Sequence, residues 1–208
     1  MEEKIIAELQ ALFANESSGH DLFHTLRVYR TAVRIAEKIP CDRELVAFGA
    51  LLHDADDPKL FCTRDYANAR RILANCGIGE ARIEAVIDII KTVSFKGTDS
   101  ERPHSIEGQI VQDADRLDAI GAIGIARAFA YGGAKGRKMY DPDEPPKLHM
   151  DETAYRANRG TTVNHFYEKL FLLRDMLCTQ AARDIAEERE AFMRTFLEEF
   201  YAEWNGEK

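Results

Sequence analysis

The chain has 208 residues, of which 28 are Lys or Arg and 36 are Asp or Glu, so that its formal net charge is −8. Surfaces that bind bulk nucleic acid or an anionic membrane are usually basic, and this acidic balance argues against both kinds of partner. A small phosphorylated ligand is not excluded, because it needs only a local basic cluster. The 45% content of hydrophobic residues is sufficient for a complete core.

The sequence contains no feature typical of a membrane or secreted protein. No apolar run approaches the ~20 residues that a membrane-spanning helix needs. The first residues combine neither an apolar signal core nor an Arg-rich transit pattern, so we expect a cytoplasmic protein. The four cysteines are widely spaced and form no CxxC pair, and we expect reduced thiols rather than disulfides or a zinc site.

Helical periodicity dominates the first half of the chain. A first helix is expected over Glu2–Ala14, and Asp21 is placed to cap a second helix. Asp42 can cap a third helix, in which Leu45–Leu52 is apolar on all sides, as in a central buried helix. Two further helices are expected over residues 64–75, with Gly77 as the stop, and 80–92.

The second half of the chain is also predicted to be helical, with one long interruption. Residues 106–129 form one helix or two, because Gly121 and Gly124 weaken the pattern. The stretch from about residue 132 to 160 is predicted to be a loop, long enough to suspect a lid. Closing helices are expected over 161–178 and 179–204, and no sustained strand alternation is present. We therefore predict an all-α protein, one helical bundle over residues 1–208 with its core at about 20–130.

Several imidazole and carboxylate groups are predicted to point into the protein. His24 shares a helical stripe with Val28 and Ile35, the pair His53-Asp54 ends the buried third helix, and Asp115 falls on the face of Val111. An inward carboxylate is costly unless a cation neutralises it. Because these groups come from three helices, one cation bound by all of them explains their inward direction better than three unrelated causes. Nitrogen and oxygen ligands suit a divalent ion such as Mn²⁺, Fe²⁺, Co²⁺, Ni²⁺ or Zn²⁺.

The order of these residues resembles a known family. His24, then His53-Asp54, then Asp115 match the H…HD…D pattern of the HD-domain superfamily of metal-dependent phosphohydrolases. Within it, the chain looks closest to the small, stand-alone bacterial HD phosphohydrolases. The segments that carry this likeness are Gly19–Val28, Gln112–Gly121 and His165–Leu170.

The resemblance implies a site and a reaction. It implies that His24, His53, Asp54 and Asp115 bind one divalent metal ion (Mn²⁺, Co²⁺, Ni²⁺, Fe²⁺, Mg²⁺ or Zn²⁺) whose bound water attacks phosphorus. It gives Asp57 the place of the acidic residue that positions or activates this water, although relatives usually carry Glu there. Lys59 is a candidate for the substrate phosphate. The small bacterial group points to nucleoside triphosphates cleaved to monophosphate and pyrophosphate.

Further side chains are candidates for substrate binding, because a phosphoryl transition state needs positive charge around its oxygens. They are His20, Arg27, Arg116, Lys135, Arg137 and Lys138. His20 can alternatively cap a helix or orient His24, and the three loop cations can alternatively be solvated. Asp113 and Asp118 are expected to form caps or salt bridges, Asp56 to be a solvated neighbour of Asp57, and His104 to lie on the surface. His165 can serve a structural role in helix packing, or it can lie on the side of the substrate.

Two alternatives to this function stay open. One is a phosphatase or phosphodiesterase of the same fold that acts on another phosphorylated metabolite. The other is a regulatory HD module that binds metal and nucleotide without turnover. A dinuclear centre is disfavoured, because only His104 lies between Asp54 and Asp115 where such proteins carry two more histidines. The expected partner is a small phosphorylated substrate, and neither bulk nucleic acid nor a membrane is expected to bind. We expect the protein to be a monomer or a homodimer.

Overall fold

The fold is all-α in the computed structural model of the chain, as predicted. The structure describes residues 1–14, 21–58, 60–93, 102–148, 150 and 152–208, and within these ranges it contains helices and turns but no strand. None of the helices in these ranges has both the length and the apolar composition needed to span a bilayer.

Ten α-helices lie in the described ranges of the chain. They are α1 (Glu2–Leu12), α2 (Leu22–Ala36), α3 (Arg43–Leu52), α4 (Ala67–Asn75), α5 (Glu80–Val93), α6 (Ile106–Asp118), α7 (Gly121–Ala134), α8 (Glu152–Ala157), α9 (Thr162–Glu168) and α10 (Gln180–Trp204), with a 3₁₀ turn at Leu170–Leu172. The described residues up to Asp115 form one compact unit, and those from Arg116 onward form a second. The prediction of one domain over 1–208 stays a prediction.

The first unit is built around α3. All residues from Val46 to Leu52 are buried, because α3 packs against α1, α2 and α5. Gly49 permits this close approach, since a Cβ atom there would lie 2.9 Å from Ile89 Cγ2 and 3.4 Å from Val111 Cγ2. The prediction of a central, fully buried third helix is confirmed.

The second unit has an aromatic core. α7 packs against α9 and α10, and their rings meet around Phe129, which lies 6.2 Å from Phe166 and 5.9 Å from Phe196 between ring centroids. Phe166 and Phe196 stack nearly parallel, with an interplanar angle of 14°. Aromatic pairs at such separations add to the stabilisation from area burial alone.

The two helix caps predicted from the sequence, Asp21 and Asp42, are present in the structure. Asp21 accepts a hydrogen bond from the His24 amide (2.8 Å), and Asp42 accepts one from the Leu45 amide (3.0 Å). Gly77 lies just after the end of α4 and has a φ of 80°, a left-handed conformation that favours glycine. The stretch from residue 106 forms two helices, and Gly121, which starts the second, has φ of 77°.

Two boundaries differ from the prediction. α7 continues through Gly132 to Ala134, where we predicted a loop. Gly132 serves close packing instead, because a Cβ atom there would lie 2.2 Å from Thr162 Oγ1. The helix predicted over residues 161–178 ends at Glu168, since Lys169 leaves helical geometry with φ of −143° and ψ of −56°.

Candidate metal centre

His24 occupies the first turn of α2. The Asp21 carboxylate holds the His24 backbone amide, so the helix begins just before this residue and sets its direction. The side chain lies on the buried face of α2 with Val28 and Ile35 and is 1% exposed. The sequence prediction that His24 points inward is confirmed.

His53 and Asp54 lie at the end of α3. The ring nitrogen Nδ1 of His53 lies 2.8 Å from the carbonyl oxygen of Ala50, one turn earlier in the helix. A carbonyl can only accept a hydrogen bond, so Nδ1 carries a proton and Nε2 is the ring nitrogen left to face a metal ion. Backbone geometry therefore selects the tautomer that a metal ion requires of this nitrogen.

The ligand atoms of the four predicted residues converge within the first unit. His24 Nε2 lies 3.3 Å from His53 Nε2, 3.4 Å from Asp54 Oδ2 and 3.4 Å from Asp115 Oδ1. His53 Nε2 lies 3.5 Å from Asp54 Oδ2 and 3.8 Å from Asp115 Oδ1. In the described part of the chain, His24, His53 and Asp115 stand out as a potential metal-binding group, with ligand atoms all within 4.8 Å of one another.

The cluster combines deep burial with one open side. His53 and Asp54 are buried, whereas the Asp115 side chain is 24% exposed, so the cluster is accessible at Asp115. Burial acts to raise the pKa of Asp115, but the hydrogen bond with His24 and the nearby charges of His53 and His24 outweigh it, and the pKa lies below its ordinary value. Both effects of the histidines favour the ionised carboxylate, which is the form that binds a cation.

These residues fit a divalent ion. With bonds of about 2.1 Å, two ligands of one ion are separated by about 3.0 Å at right angles and about 3.4 Å in a tetrahedral arrangement. The separations of 3.3–3.5 Å among His24, His53 and Asp54 agree with these values. Two imidazoles and two carboxylates are the mixed nitrogen and oxygen donors that borderline and harder divalent ions accept.

Asp57 and Asp56, two residues with similar sequence surroundings, differ in structure. Asp57 is half-buried in the turn after α3, where its amide donates to the Asp54 carbonyl at 3.2 Å. Asp56 accepts the amides of Asn68 (3.0 Å) and Ala69 (2.9 Å) and thus caps α4. The expectation that Asp56 is merely a solvated neighbour was wrong, and a partner more than ten residues away leaves no local signal in the sequence.

The other predicted site residues lie in several places. Arg27 is half-buried on α2, one turn after His24. His20 and Lys59 fall outside the described residues. In the second unit, Arg116 is buried and donates to the Met176 carbonyl, and Lys138 pairs with Asp141 at 2.7 Å. The cationic groups of Lys135 and Arg137 lie 5.7 Å and 5.6 Å from the ring centroid of Tyr131.

Asp113 and Asp118 were both expected to form caps or salt bridges, and the structure shows this pairing for Asp118. Asp118 forms a salt bridge with Arg127 in the second unit, which confirms its expected pairing. Asp113 is fully buried on α6, next to Gln112, whose amide donates to the Thr92 carbonyl at 2.7 Å. This last bond ties α6 to the end of α5, and sequence reasoning missed it because 20 positions separate the two residues.

Comparison with known proteins gives one consistent assignment. Residues 22–120 match the family model of the HD domain. The uncharacterized protein YpgQ of Bacillus subtilis (strain 168) is 42% identical over 94% of this chain and 89% of its own length. An HD-superfamily hydrolase from Bacillus thuringiensis is 40% identical, with a TM-score of 0.79 over 98% of this chain and 96% of that one. YpgQ in complex with ADP is 38% identical, with a TM-score of 0.78 over 98% and 97% of the two chains.

Proposed function

This chain belongs to the HD domain family, and we propose that it is a metal-dependent phosphohydrolase acting on nucleotides or related small phosphoesters. The observation that carries the proposal is the convergence of His24, His53, Asp54 and Asp115, in which the Nε2 atom of each histidine lies 3.3–3.8 Å from the other imidazole and from both carboxylates. The likeness to an HD-superfamily hydrolase supports hydrolysis as the reaction type.

The nucleotide part of the proposal has separate support. A relative with the same fold, YpgQ, has a structure in complex with ADP. The finer proposal is that a nucleoside triphosphate is cleaved to the monophosphate and pyrophosphate, as the resemblance to the small bacterial group implies. The chain's negative net charge does not oppose this, because a bound cation and a few basic side chains suffice for a small anionic substrate.

Each residue has a proposed task. When bound, a divalent ion polarises a phosphoryl oxygen and lowers the pKa of a coordinated water. Asp57 accepts the proton of the attacking water or orients that water, from a turn held by its bond to the Asp54 carbonyl. Lys59 holds the substrate phosphate. The cations proposed to assist in binding are Arg27, Arg116, Lys135, Arg137 and Lys138, together with His20.

The experiment is a panel of nucleotides and other phosphoesters assayed with Mn²⁺, Co²⁺, Ni²⁺ and Mg²⁺, with products separated by chromatography. Pyrophosphate and monophosphate from a triphosphate would support the finer proposal. Release of orthophosphate instead would favour the phosphatase alternative. Metal and nucleotide binding without any turnover would contradict the enzymatic proposal and favour a regulatory module. Protein treated with a chelator, and Asp115→Asn protein, serve as the inactive controls.

A further inference from the structure

A cavity of about 240 Å³ lies in the second unit, between the segment that precedes α8 and the helices α9 and α10. Its lining residues include Tyr140, Tyr167 and Tyr201, prolines of the segment before α8, and the two acidic residues Asp141 and Glu144. Pockets for drug-sized ligands have volumes of roughly 300–1,000 Å³, so this cavity suits a smaller molecule than a nucleotide.

Aromatic packing fixes the tyrosine wall of the cavity. The Tyr140 ring centroid lies 5.3 Å from that of Tyr201 and 5.2 Å from that of Trp204, in both cases edge to face. The hydroxyl oxygens of Tyr167 and Tyr201 are 3.3 Å apart, so that one hydroxyl donates to the other. Burial and the bond with Tyr167 raise the pKa of Tyr201, which keeps its hydroxyl protonated. The pair retains oxygen lone pairs that can accept from a ligand.

Hydrogen bonds attach the opposite, proline-rich wall to α9. They run from the Thr162 amide to the Lys138 carbonyl (3.0 Å), from the Val163 amide to the Met139 carbonyl (2.9 Å), from Asn164 Nδ2 to the Glu144 carbonyl (2.8 Å) and from the Lys147 amide to Glu168 Oε1 (3.0 Å). The wall is therefore held along its length, and a ligand does not have to order it. Such preorganisation lowers the entropic cost of binding.

The lining of the cavity is acidic. Within the described part of the chain, it includes two carboxylates and no Lys, Arg or His. Asp141 is paired with Lys138, which lies outside the lining, at 2.7 Å. The half-buried carboxylate of Glu144 makes no hydrogen bond or ion pair with another described residue. A bound cation would neutralise it.

The surroundings of Lys138 show that this place favours positive charge. The hydrogen bond with Asp141 and the charges of Asp141, Glu144 and Asp143 raise the pKa of Lys138. The same carboxylates attract any cation that enters the cavity and repel a phosphate. The cavity is therefore suited to a different ligand from the phosphorylated substrate of the proposed function.

We propose that this cavity binds a small alkylammonium ion, with the ammonium group at the Glu144 carboxylate and the Tyr167–Tyr201 hydroxyl pair, and the hydrocarbon part against the prolines and the tyrosine rings. Carboxylate and phenol oxygens accept from the ammonium N–H groups, and aromatic rings add attraction for a cation. All the residues involved belong to the second unit. The proposal depends neither on the metal centre nor on hydrolysis.

The test uses the full-length protein and three probes of equal carbon number and different charge, namely butylammonium, n-butanol and butyrate. Isothermal titration calorimetry at neutral pH gives each Kd. Butylammonium is expected to bind about tenfold more tightly than n-butanol, the effect of one charge-assisted hydrogen bond, and butyrate should not bind. Glu144→Gln should remove this preference, although it leaves the bond from Asn164 to the Glu144 carbonyl intact. Tyr201→Phe should weaken butylammonium binding about threefold. Glu198→Gln and Tyr131→Phe, at exposed positions outside the cavity, are the matched controls and should leave the Kd unchanged.

Three results would overturn the proposal. They are equal affinity for butylammonium and n-butanol, equal weakening by Glu144→Gln and Glu198→Gln, and no saturable binding to the wild type at high millimolar butylammonium. NMR of tyrosine-labelled protein locates the ligand, because the Tyr201 signal should shift during the titration and the Tyr131 signal should not. An unmoved Tyr201 signal would place the ligand outside this cavity. Circular dichroism verifies that each variant is folded, and Glu144→Gln decides the matter if Tyr201→Phe fails to fold.

Discussion

The Nε2 atoms of His24 and His53 lie 3.3 Å apart, although the residues are 29 positions apart in the sequence. The packing of α2 against α3 brings them together. The Ala50 carbonyl occupies Nδ1 of His53, so Nε2 of this ring faces a neighbouring imidazole and two carboxylates. Such an arrangement is stable when a shared cation binds between these groups.

Replacement of His53 by Ala is expected to remove metal binding and hydrolysis together. The loss in metal affinity should exceed the ~10–100-fold typical of an outer partner of a ligand, because a ligand itself is deleted. Metal content by mass spectrometry and a titration with Mn²⁺ measure the effect. His104→Ala is the matched control, since His104 is exposed. A His53→Ala protein with wild-type metal content and rate would contradict the site assignment.

Asp57→Asn is expected to retain the metal and lose rate. The amide cannot take a proton from water, and positioned general bases contribute about 10²–10⁴-fold. The prediction is a fall in kcat within that range with unchanged metal stoichiometry, measured on the substrate that the phosphoester panel identifies. Unchanged turnover would exclude Asp57 from the reaction, and a parallel loss of metal would make it a ligand instead.

Asp56→Ala is expected to reduce stability rather than chemistry. The variant loses the acceptor for the Asn68 and Ala69 amides at the start of α4, and loss of such a cap costs about 1 kcal/mol. Urea unfolding measures this free energy. Thr179→Ala, which removes the acceptor of the Ala182 amide at the start of α10, is the matched comparison. A stability equal to wild type would show that the Asp56 contacts contribute nothing.

His165 should make the protein less stable in acid. Its pKa is about 3 in the folded protein, against an ordinary value of 6.5, so the unfolded chain binds the proton more readily. The contribution of His165 is complete above pH 6.5 and is lost as pH falls toward 3, with a slope of at most about 1.4 kcal/mol per pH unit. Unfolding free energies of wild type and His165→Asn between pH 4 and 7 should differ in slope. Parallel curves would contradict the shift.

Two glycines of α7 are expected to respond oppositely to Ala. A Cβ atom at Gly124 would lie 2.3 Å from the Ala119 carbonyl oxygen, so Gly124→Ala must displace backbone and should cost about 1–3 kcal/mol. At Gly133 nothing lies within 4 Å of such an atom, and Ala should stabilise the helix by about 0.5–1 kcal/mol. Thermal unfolding of both variants measures the difference. The same sign for both would contradict the packing at Gly124.

Local features of the fold were predictable because they depend on residues within one helical turn. Asp21 and Asp42 cap α2 and α3 through amides three residues ahead. The uninterrupted apolar composition of α3 predicted its full burial. The sequence is compatible with one helix or two over residues 106–129, and the left-handed conformation of Gly121 separates α6 from α7.

The features of the candidate site likewise fall into those that depend on local sequence and those that depend on tertiary packing. The sequence by itself determined the inward direction of His24 and the pairing of His53 with Asp54 at a helix end, since helical period and element length set both. Only the tertiary structure decided the cap that Asp56 makes on α4 and the attachment of the segment 138–139 to the first turn of α9. Both join segments 12 or more positions apart, and periodicity does not specify them because such distant hydrogen bonds form only after helices have packed.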